Sequence, residues 1–210
     1  MDIKKKRNLL LGHKIIENLR KRHFEAYYCE DAQEAINMVL TLMPQGSSVT
    51  WGGSDSIRKM GLTAALHASD YQVFDRDLVQ TAEEKQAIYE RAFTCDYYLS
   101  SANAISEDGV IVNIDGNGNR VAAITWGPKR VIFVIGINKV AQTVDAALAR
   151  ARSTASPINA VRFNINTPCQ TDGVCHNCKS LDCICNYIHF LRHSPKGRHI
   201  VVIVGEELGY

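Results

Sequence analysis

Short apolar runs alternate with amphipathic stretches along the first half of the chain. The spacing of Leu11, Ile15, Ile16 and Leu19 puts all four on one face of a helix, which is predicted over residues 9–23. The next apolar runs have strand length and are predicted as strands: residues 25–29, 48–51, 71–75 and 97–101. Helical patterns separate these strands: a segment capped by Asp31, a segment that begins at Ile57, and residues 81–93. This alternation predicts a parallel sheet with helices on both faces.

The pattern changes after the fourth strand. Residues 101–109 are predicted as a loop, and the apolar runs 110–114 and 121–125 are predicted as two strands. The segment between these runs contains Asp-Gly and Asn-Gly steps, which tolerate positive φ angles and therefore predict an antiparallel hairpin. Residues 130–136 are continuously apolar, so they are predicted to form a central strand that is buried on both faces.

The last third of the chain combines a helix, short apolar runs and a segment rich in cysteine. A helix is predicted over residues 143–152 and a strand over residues 161–165. The predicted C-terminal elements are a strand-like run at 186–192, for which a helix is the alternative, a turn at 194–197, and a strand at 199–204. We predict one domain over residues 1–210, consisting of an α/β core (1–165), a cysteine segment (166–186) and C-terminal strands (187–210).

Composition limits the class of protein. Of the 210 residues, 46% are apolar and 22% are charged, which is typical of a globular domain. No apolar run approaches the ~20 residues of a membrane helix, and no signal peptide follows the basic N-terminus, so we expect a cytoplasmic protein. The net charge of +2 argues against a nucleic-acid partner. We interpret the basic run near the N-terminus as a solvated helix face, with a phosphate-contacting arm as the alternative.

Five of the seven cysteines lie within 17 residues, in the pattern C-x5-C-x2-C-x4-C-x-C. Cytosolic thiols are kept reduced, so such a cluster indicates a metal site rather than disulfides. Four thiolates suit either structural zinc or an iron–sulfur cluster, and the spacing does not decide between them. Gly173 and Asn177 suit the positive-φ turns that such a loop needs. Cys29 and Cys95 are predicted to be core thiols.

A glycine pair follows the predicted strand at residues 48–51. The sequence Gly52-Gly53-Ser54-Asp55-Ser56 leads from this strand into a helix. Glycines allow a ligand to approach the backbone closely, and open α/β sheets bind ligands at the carboxyl ends of their strands, so this turn is a candidate anion site. The alternative is an ordinary β–α turn in which Ser54 or Ser56 caps the helix.

Several motifs occur together in one order: Trp51-Gly52-Gly53-Ser54, Ser101-Ala102-Asn103-Ala104-Ile105-Ser106-Glu107-Asp108-Gly109, Asn113-Ile114-Asp115-Gly116-Asn117-Gly118-Asn119-Arg120-Val121, Gly136-Ile137-Asn138-Lys139-Val140 and Thr167-Pro168-Cys169. With this spacing the chain resembles the LUD (lactate-utilisation, DUF162) domain family, and more closely its short single-domain members with a C-terminal cysteine cluster. The resemblance implies a three-layer Rossmann-like α/β sheet of the NagB/RpiA/CoA-transferase-like type, with an antiparallel hairpin and a C-terminal cysteine-rich loop. It also implies a link to the oxidation of L-lactate to pyruvate in the bacterial cytoplasm, alongside iron–sulfur partner proteins.

The resemblance also sorts the cysteines. Those that match the family pattern are Cys169, Cys175, Cys178 and Cys185. Similar family members tend to have arginine at position 183, which implies that Cys183 is supernumerary. The redox setting of the family favours a [4Fe-4S] cluster at the four matching cysteines, with zinc as the alternative.

Polar residues in the same motifs are candidates for the chemistry of the site. The stretch that contains Glu107 resembles the Ser-Glu-Asn-Gly stretch of some CoA-transferases, so Glu107 is a candidate nucleophile, with a charged turn before a strand as the alternative. The residues predicted to bind an anion are Gly52, Gly53, Ser54, Asn103, Asn119, Arg120 and Lys139. For the last three, surface exposure beside the hairpin is the alternative.

These observations predict a protein that binds a small carboxylate or phosphate. We expect it to take part in the oxidation of L-lactate or another small 2-hydroxy acid, as an iron–sulfur redox subunit or an accessory subunit. No GxGxxG or flavin fingerprint is present, so the sequence offers no support for a resident nicotinamide or flavin. The alternatives are a thioester-acting enzyme that uses Glu107 and a redox-sensing binding module. The sequence is compatible with a homo-oligomer.

Overall fold

A computed structural model describes residues 2–195 and 197–210 of the chain. Position 196, within the predicted turn at 194–197, lies outside the described residues. In the part of the chain that is described, no helix is both long enough and apolar enough to span a bilayer.

Strands and helices follow one another along the whole described chain. The strands are, in chain order, β1 (Glu25–Cys29), β2 (Ser48–Trp51), β3 (Gln72–Phe74), β4 (Tyr97–Ser100), β5 (Ala104–Ser106), β6 (Ile111–Asp115), β7 (Arg130–Gly136), β8 (Val140–Ala141), β9 (Tyr187–Leu191) and β10 (His199–Val204). The helices are α1 (Ile3–Lys21), α2 (Ala32–Leu42), α3 (Asp55–Lys59), α4 (Leu62–His67), α5 (Ala82–Arg91), α6 (Asn119–Thr125), α7 (Val144–Arg150), α8 (Ser156–Phe163) and α9 (Pro168–Asp172). A 3₁₀ turn (Ile137–Lys139) follows β7, and a π turn (Ala151–Ala155) joins α7 to α8.

The larger sheet has six parallel strands in the order β1-β10-β7-β4-β2-β3. Its centre is β7, the run predicted to be buried on both faces. Phe133 and Ile135 pack into one core cluster with residues of α1, whereas Ile132 and Val134 pack into a second cluster with residues of α2. Each of these side chains contributes about 1.5–3 kcal/mol by burial, so both layers of helices are held by this one strand and its neighbours. The predicted three-layer α/β architecture is confirmed.

The smaller sheet has the order β8-β5-β6-β9 and contains the antiparallel hairpin. Ala104 of β5 lies opposite Val112 of β6, and Ile105 lies opposite Ile111. The first strand of this hairpin therefore lies within residues 101–109, where only a loop is predicted. On its other side β6 pairs with β9, which is also antiparallel.

Residues 121–125 lie in α6, so the prediction of a returning strand there is wrong. The Asp115 carboxylate accepts hydrogen bonds from the backbone N–H groups of Asn117, Gly118 and Val121, at 3.1 to 3.2 Å. These bonds satisfy N–H groups at the start of the helix, and Gly118 supplies the positive φ of 79° at its N-cap. The Asp-Gly-Asn-Gly turn therefore starts a helix rather than reversing a strand.

Part of the segment 161–165 is helical, so the strand predicted there is also wrong. Helix α8 continues from α7 through the π turn and ends at Asn164, whose positive φ of 50° closes the helix. Val161 and Phe163 are about half exposed on its outer face. The cysteine segment is thus connected to the end of a long helix and not to a strand of the sheet.

Candidate functional site

A cavity of about 210 Å³ opens where neighbouring strands of the larger sheet end. Its walls come from the segments that follow β2, β4 and β7, and from the turn between β6 and α6. Since parallel strands present their carboxyl ends at the same edge, residues distant in sequence meet here. The volume is below the ~300 Å³ at which pockets for drug-sized ligands begin, so the cavity suits a ligand with few heavy atoms.

Lys139 forms the floor of this cavity and is 3% exposed. Its Nζ lies 2.8 Å from the Ser56 hydroxyl and 3.2 Å from the Ser101 hydroxyl. It also donates to the carbonyl oxygen of Ala102 at 3.2 Å. These partners come from three different segments, so the folded sheet edge creates an enclosed amine that contacts hydroxyl and carbonyl groups rather than a carboxylate.

The protonation of Lys139 is strongly perturbed. Burial, followed by the positive charges of Arg150 and Arg120, lowers the pKa of the Lys139 ammonium to about 7, and Asp55 opposes this shift. Near neutral pH the amine is therefore available in both its charged and its neutral form. Strongly perturbed groups that line a cleft are characteristic of functional sites.

Arg120 holds one wall of the cavity together. Its Nη1 donates to Asn113 Oδ1 at 2.7 Å and to Ser101 O at 3.4 Å. Its Nη2 donates to Asn103 Oδ1 at 3.0 Å and to Ile114 O at 2.6 Å. These contacts occupy the terminal N–H groups of Arg120, so this residue fixes the wall in place and adds positive charge to the cavity.

The charges around the cavity leave an excess of positive charge. The basic side chains in its lining are Arg76, Arg120, Lys139 and Arg162, and the acidic ones are Asp55 and Asp115. Asp55 is paired with Lys59 at 2.9 Å, and Asp115 accepts the backbone N–H groups at the start of α6. Both carboxylates are therefore already stabilised, and the cavity is suited to an anion.

Six of the seven residues predicted to bind a ligand line the cavity: Gly53, Ser54, Asn103, Asn119, Arg120 and Lys139. The burial of Lys139 excludes the surface alternative for that residue. Gly52 lies behind the wall, where a Cβ atom would be 2.7 Å from Tyr98 Oη and 3.5 Å from the Arg120 side chain. Ser54 also caps α3 by accepting the N–H of Ile57 at 3.5 Å, so the β–α turn and the cavity wall are the same structure.

Glu107 is not brought to the cavity. Its carboxylate pairs with Lys14 of α1 at 2.9 Å, and its carbonyl oxygen accepts from Asn18 of the same helix at 2.9 Å. The next residue, Asp108, pairs with Arg22, which is also at the end of α1. This arrangement favours the charged turn before a strand, and the geometry gives no support to a nucleophilic role beside the other predicted residues.

The cysteine segment adjoins the cavity. Ile184, between Cys183 and Cys185, lines it, and a Cβ atom on Gly116 would lie 3.2 Å from the Ile184 Cα. The predicted positive-φ positions are confirmed, with φ of 77° at Gly173 and 51° at Asn177. The segment is therefore a wall of the ligand site and not a separate appendage.

The thiols as placed do not form a coordination shell. Among residues 2–195 and 197–210, no group of three or more Cys, His, Asp or Glu side chains could hold a metal ion. Cys183 Sγ accepts the backbone N–H of Cys185 at 3.4 Å, and His176 is paired with Asp172 at 2.7 Å. The chemistry of the donors suits a soft metal, but its binding would require this segment to rearrange. Cys29 and Cys95 are buried in the core, as predicted.

Several residues of the cavity are not identified from the sequence. Ser101 lies within a quoted motif, and its position after a strand is the signal that could have singled it out, whereas Ser56 already belongs to the turn predicted as an anion site. Arg76 and Arg162 lie in no such motif; Arg162 donates to Gly53 O at 3.3 to 3.4 Å only because α8 crosses the sheet edge. Tyr210 also lines the cavity, since the segment after β10 folds over Ser56.

Comparison with known proteins identifies a family and solved structures with a similar fold. A model of the LUD domain matches residues 12–204. No curated protein matches the sequence. Among solved structures, the fold is similar to a DUF162 family protein from Deinococcus radiodurans, with 15% identity, a TM-score of 0.54, and coverage of 94% of this chain and 98% of that chain. Similarity to eIF2B delta from Chaetomium thermophilum is weak, with 15% identity, a TM-score of 0.34, and coverage of 67% and 52% of the two chains.

Proposed function

Since the chain belongs to the LUD domain family, whose role is related to lactate utilisation, we propose that its cavity binds the anion of a small 2-hydroxy acid. The observation that carries this proposal is the enclosed amine of Lys139 beside two serine hydroxyls, at the floor of a small cavity with excess positive charge. A 2-hydroxy acid has one carboxylate and one adjacent hydroxyl group, which are complementary to cationic and hydroxyl side chains.

The cavity offers partners for both ends of such an acid. Arg76 and Arg162 line the cavity and would attract the carboxylate. In the described chain, the only side-chain contact of the Ser101 hydroxyl is the hydrogen bond that it accepts from Lys139. Its own hydrogen would therefore be free to bond to the substrate hydroxyl. The neutral form of Lys139 would accept a proton from that hydroxyl, directly or through Ser101. Oxidation to the 2-oxo acid also breaks the C2–H bond, whose proton would pass to solvent; for the two electrons released we propose an iron–sulfur partner protein as the acceptor.

Replacement of Lys139 by methionine is expected to weaken the binding of L-lactate at least about tenfold, because an anion loses a desolvated cationic partner. Calorimetric titration at neutral pH measures this, with lactamide as an uncharged analogue that should bind weakly to the wild type. The matched control is Lys129→Met, since Lys129 is 77% exposed in its side chain and pairs with Asp96 away from the cavity. Equal affinity of Lys139→Met and wild type, or equal binding of lactamide and lactate, would contradict the proposal.

We also propose that the cysteine segment binds a metal centre through Cys169, Cys175, Cys178 and Cys185, with a [4Fe-4S] cluster ahead of zinc. Support comes from the density of soft donors and from the absence of helix and strand over residues 174–180, which contain Cys175 and Cys178.

Protein purified without oxygen is expected to contain iron and acid-labile sulfide and to absorb visible light. Cys175→Ser should remove most of this metal, because one of four ligands is lost, whereas Cys183→Arg should retain it. Metal analysis and absorption spectra of the three proteins decide between the outcomes. A colourless wild type with one zinc ion would exclude the cluster, and a wild type with neither metal would end the proposal.

A further inference from the structure

The amine of Lys139 is chemically unusual among the lysines of the described residues. It is the one that is buried, and its contacts are the hydroxyls of Ser56 and Ser101 and a carbonyl oxygen. An enclosed ammonium without a carboxylate partner is costly, so the fold favours the neutral amine. A neutral primary amine in a desolvated site near other cations is the usual form of a nucleophilic lysine.

The three contacts of Lys139 Nζ define the hydrogen bonds that a neutral amine would make. The Ser56 hydroxyl donates to Leu208 O at 3.2 Å, so its oxygen is left to accept from Lys139. Ala102 O can only accept, so it takes the second amine hydrogen. The Ser101 hydroxyl is then left to donate toward the nitrogen, and it is positioned to carry protons to and from the amine.

The surroundings would hold a carboxylate near this amine. The charges that disfavour the ammonium form, Arg120 and Arg150, belong to the same basic environment that attracts an anion. Arg76 and Arg162 in the cavity lining add to it. A small acid whose carboxylate faces these groups would have its second carbon within the same narrow volume as Nζ.

We propose that Lys139 is a carbonyl-reactive lysine that forms an imine with the C2 carbonyl of a small 2-oxo acid bound in the cavity. This inference rests on the proposed function, since a 2-oxo acid is the product of oxidising a 2-hydroxy acid. The Nζ lone pair attacks C2, and the carbonyl π electrons move to oxygen. The nitrogen loses its two protons in turn, both reach the oxygen by way of Ser101, and the C–O bond breaks to release water as the C=N bond forms. Amine and ketone give imine and water, so no oxidant or reductant is needed.

Reductive trapping tests the proposal. The full-length protein is incubated with pyruvate and cyanoborohydride, and its peptides are analysed by mass spectrometry. We expect an N-carboxyethyl group on Lys139 as the main product. Acetone, which has the carbonyl but no carboxylate, should label Lys139 at least about tenfold less. Lys139→Arg keeps the positive charge but has no reactive amine, so the corresponding peptide should stay unlabelled, whereas Lys129→Met should label at Lys139 like the wild type.

The outcomes separate this proposal from the one on which it rests. If pyruvate binds by calorimetry but Lys139 is not labelled above exposed lysines, the imine is excluded and the binding function stands. If neither L-lactate nor pyruvate binds by calorimetry and Lys139 is not labelled, both proposals fail. A circular dichroism spectrum like that of the wild type shows that Lys139→Arg is folded; should it not fold, the wild-type pH profile decides instead.

The pH dependence of trapping in the wild type is a measurement that needs no variant. The charged groups that face Lys139 are Arg150 of α7, Arg120 of α6 and Asp55 of α3, and burial is the main reason that the pKa of the Lys139 ammonium falls to about 7. The labelling rate of Lys139 should therefore rise through about pH 7 and then level off. Exposed lysines titrate at ~10.4, so a profile for Lys139 that follows theirs would overturn the proposal.

Discussion

Replacement of Arg120 by methionine is expected to lower the free energy of unfolding by about 3–5 kcal/mol, one of the two largest effects that the structure predicts. The guanidinium donates to two asparagine side chains and to two backbone carbonyls, and one of those side chains, Asn113, is fully buried. Each buried acceptor left without a donor costs ~1–3 kcal/mol. Methionine restores the volume but none of the hydrogen bonds, so the wall formed by the ends of β4 and β6 loses its common anchor.

Chemical denaturation of the wild type and the variant measures this change. Arg7→Met is the matched control, because Arg7 is exposed on α1 and its removal should change stability by no more than ~0.5 kcal/mol. Arg120→Lys should recover only part of the loss, since one ammonium cannot reach acceptors that the planar guanidinium spans. If Arg120→Met lowers the free energy of unfolding by less than ~1 kcal/mol, the Arg120 guanidinium is not a main support of the cavity wall.

The second large effect is a loss of stability in mild acid that His199 causes. His199 is 1% exposed, and its ring lies 3.0 Å from Ser194 Oγ on one side and 3.0 Å from Ile124 O on the other. The neutral tautomer with its proton on Nε2 donates to the Ile124 carbonyl and leaves Nδ1 facing the Ser194 hydroxyl, which also lies 2.8 Å from Pro195 O. Burial is the main reason that the pKa of His199 falls to about 4, although the bond to Ile124 opposes the shift.

The sign of the effect follows from linkage. Above the ordinary histidine pKa of ~6.5, the imidazole is neutral in the folded and in the unfolded chain, and its full contribution to stability is present. Below that pH the unfolded chain binds the proton first, so stability is lost as the pH falls from ~6.5 to the folded value of about 4. At ~1.4 kcal/mol for each pH unit, the total loss is about 3 kcal/mol.

Unfolding free energies at several pH values between about 7 and 5 check this expectation. The wild type should lose stability across this range, and His199→Gln should have a clearly smaller slope. His189 contributes in the same direction, since burial also lowers its pKa, so some slope remains in the variant. Equal slopes in the two proteins would show that His199 is not the group responsible.

Most of the larger sheet could be predicted from the sequence, and two apolar runs show where such prediction stops. The bounds of β7 and β10 are those predicted, because a strand buried on both faces is a nearly continuous apolar run. Residues 121–125 and 161–165 are equally short, and periodicity cannot separate a helix from a strand over five positions. The Asp115 carboxylate decides the first case by capping α6. In the second, α8 simply continues the helix that begins at α7.

The sequence by itself determined the α/β class, the glycine turn after β2, and a set of polar residues of which most line one cavity. These features could be predicted by local rules, because strand ends, turns and caps depend on residues that are neighbours in sequence. Only the tertiary structure decided that Lys139 is an enclosed amine, that Arg120 is a clamp, that Ile184 makes the cysteine segment a cavity wall, and that Glu107 lies against α1. Each of these depends on contacts between distant parts of the chain, such as Lys139 with Ser56, 83 positions apart, and no local pattern encodes them.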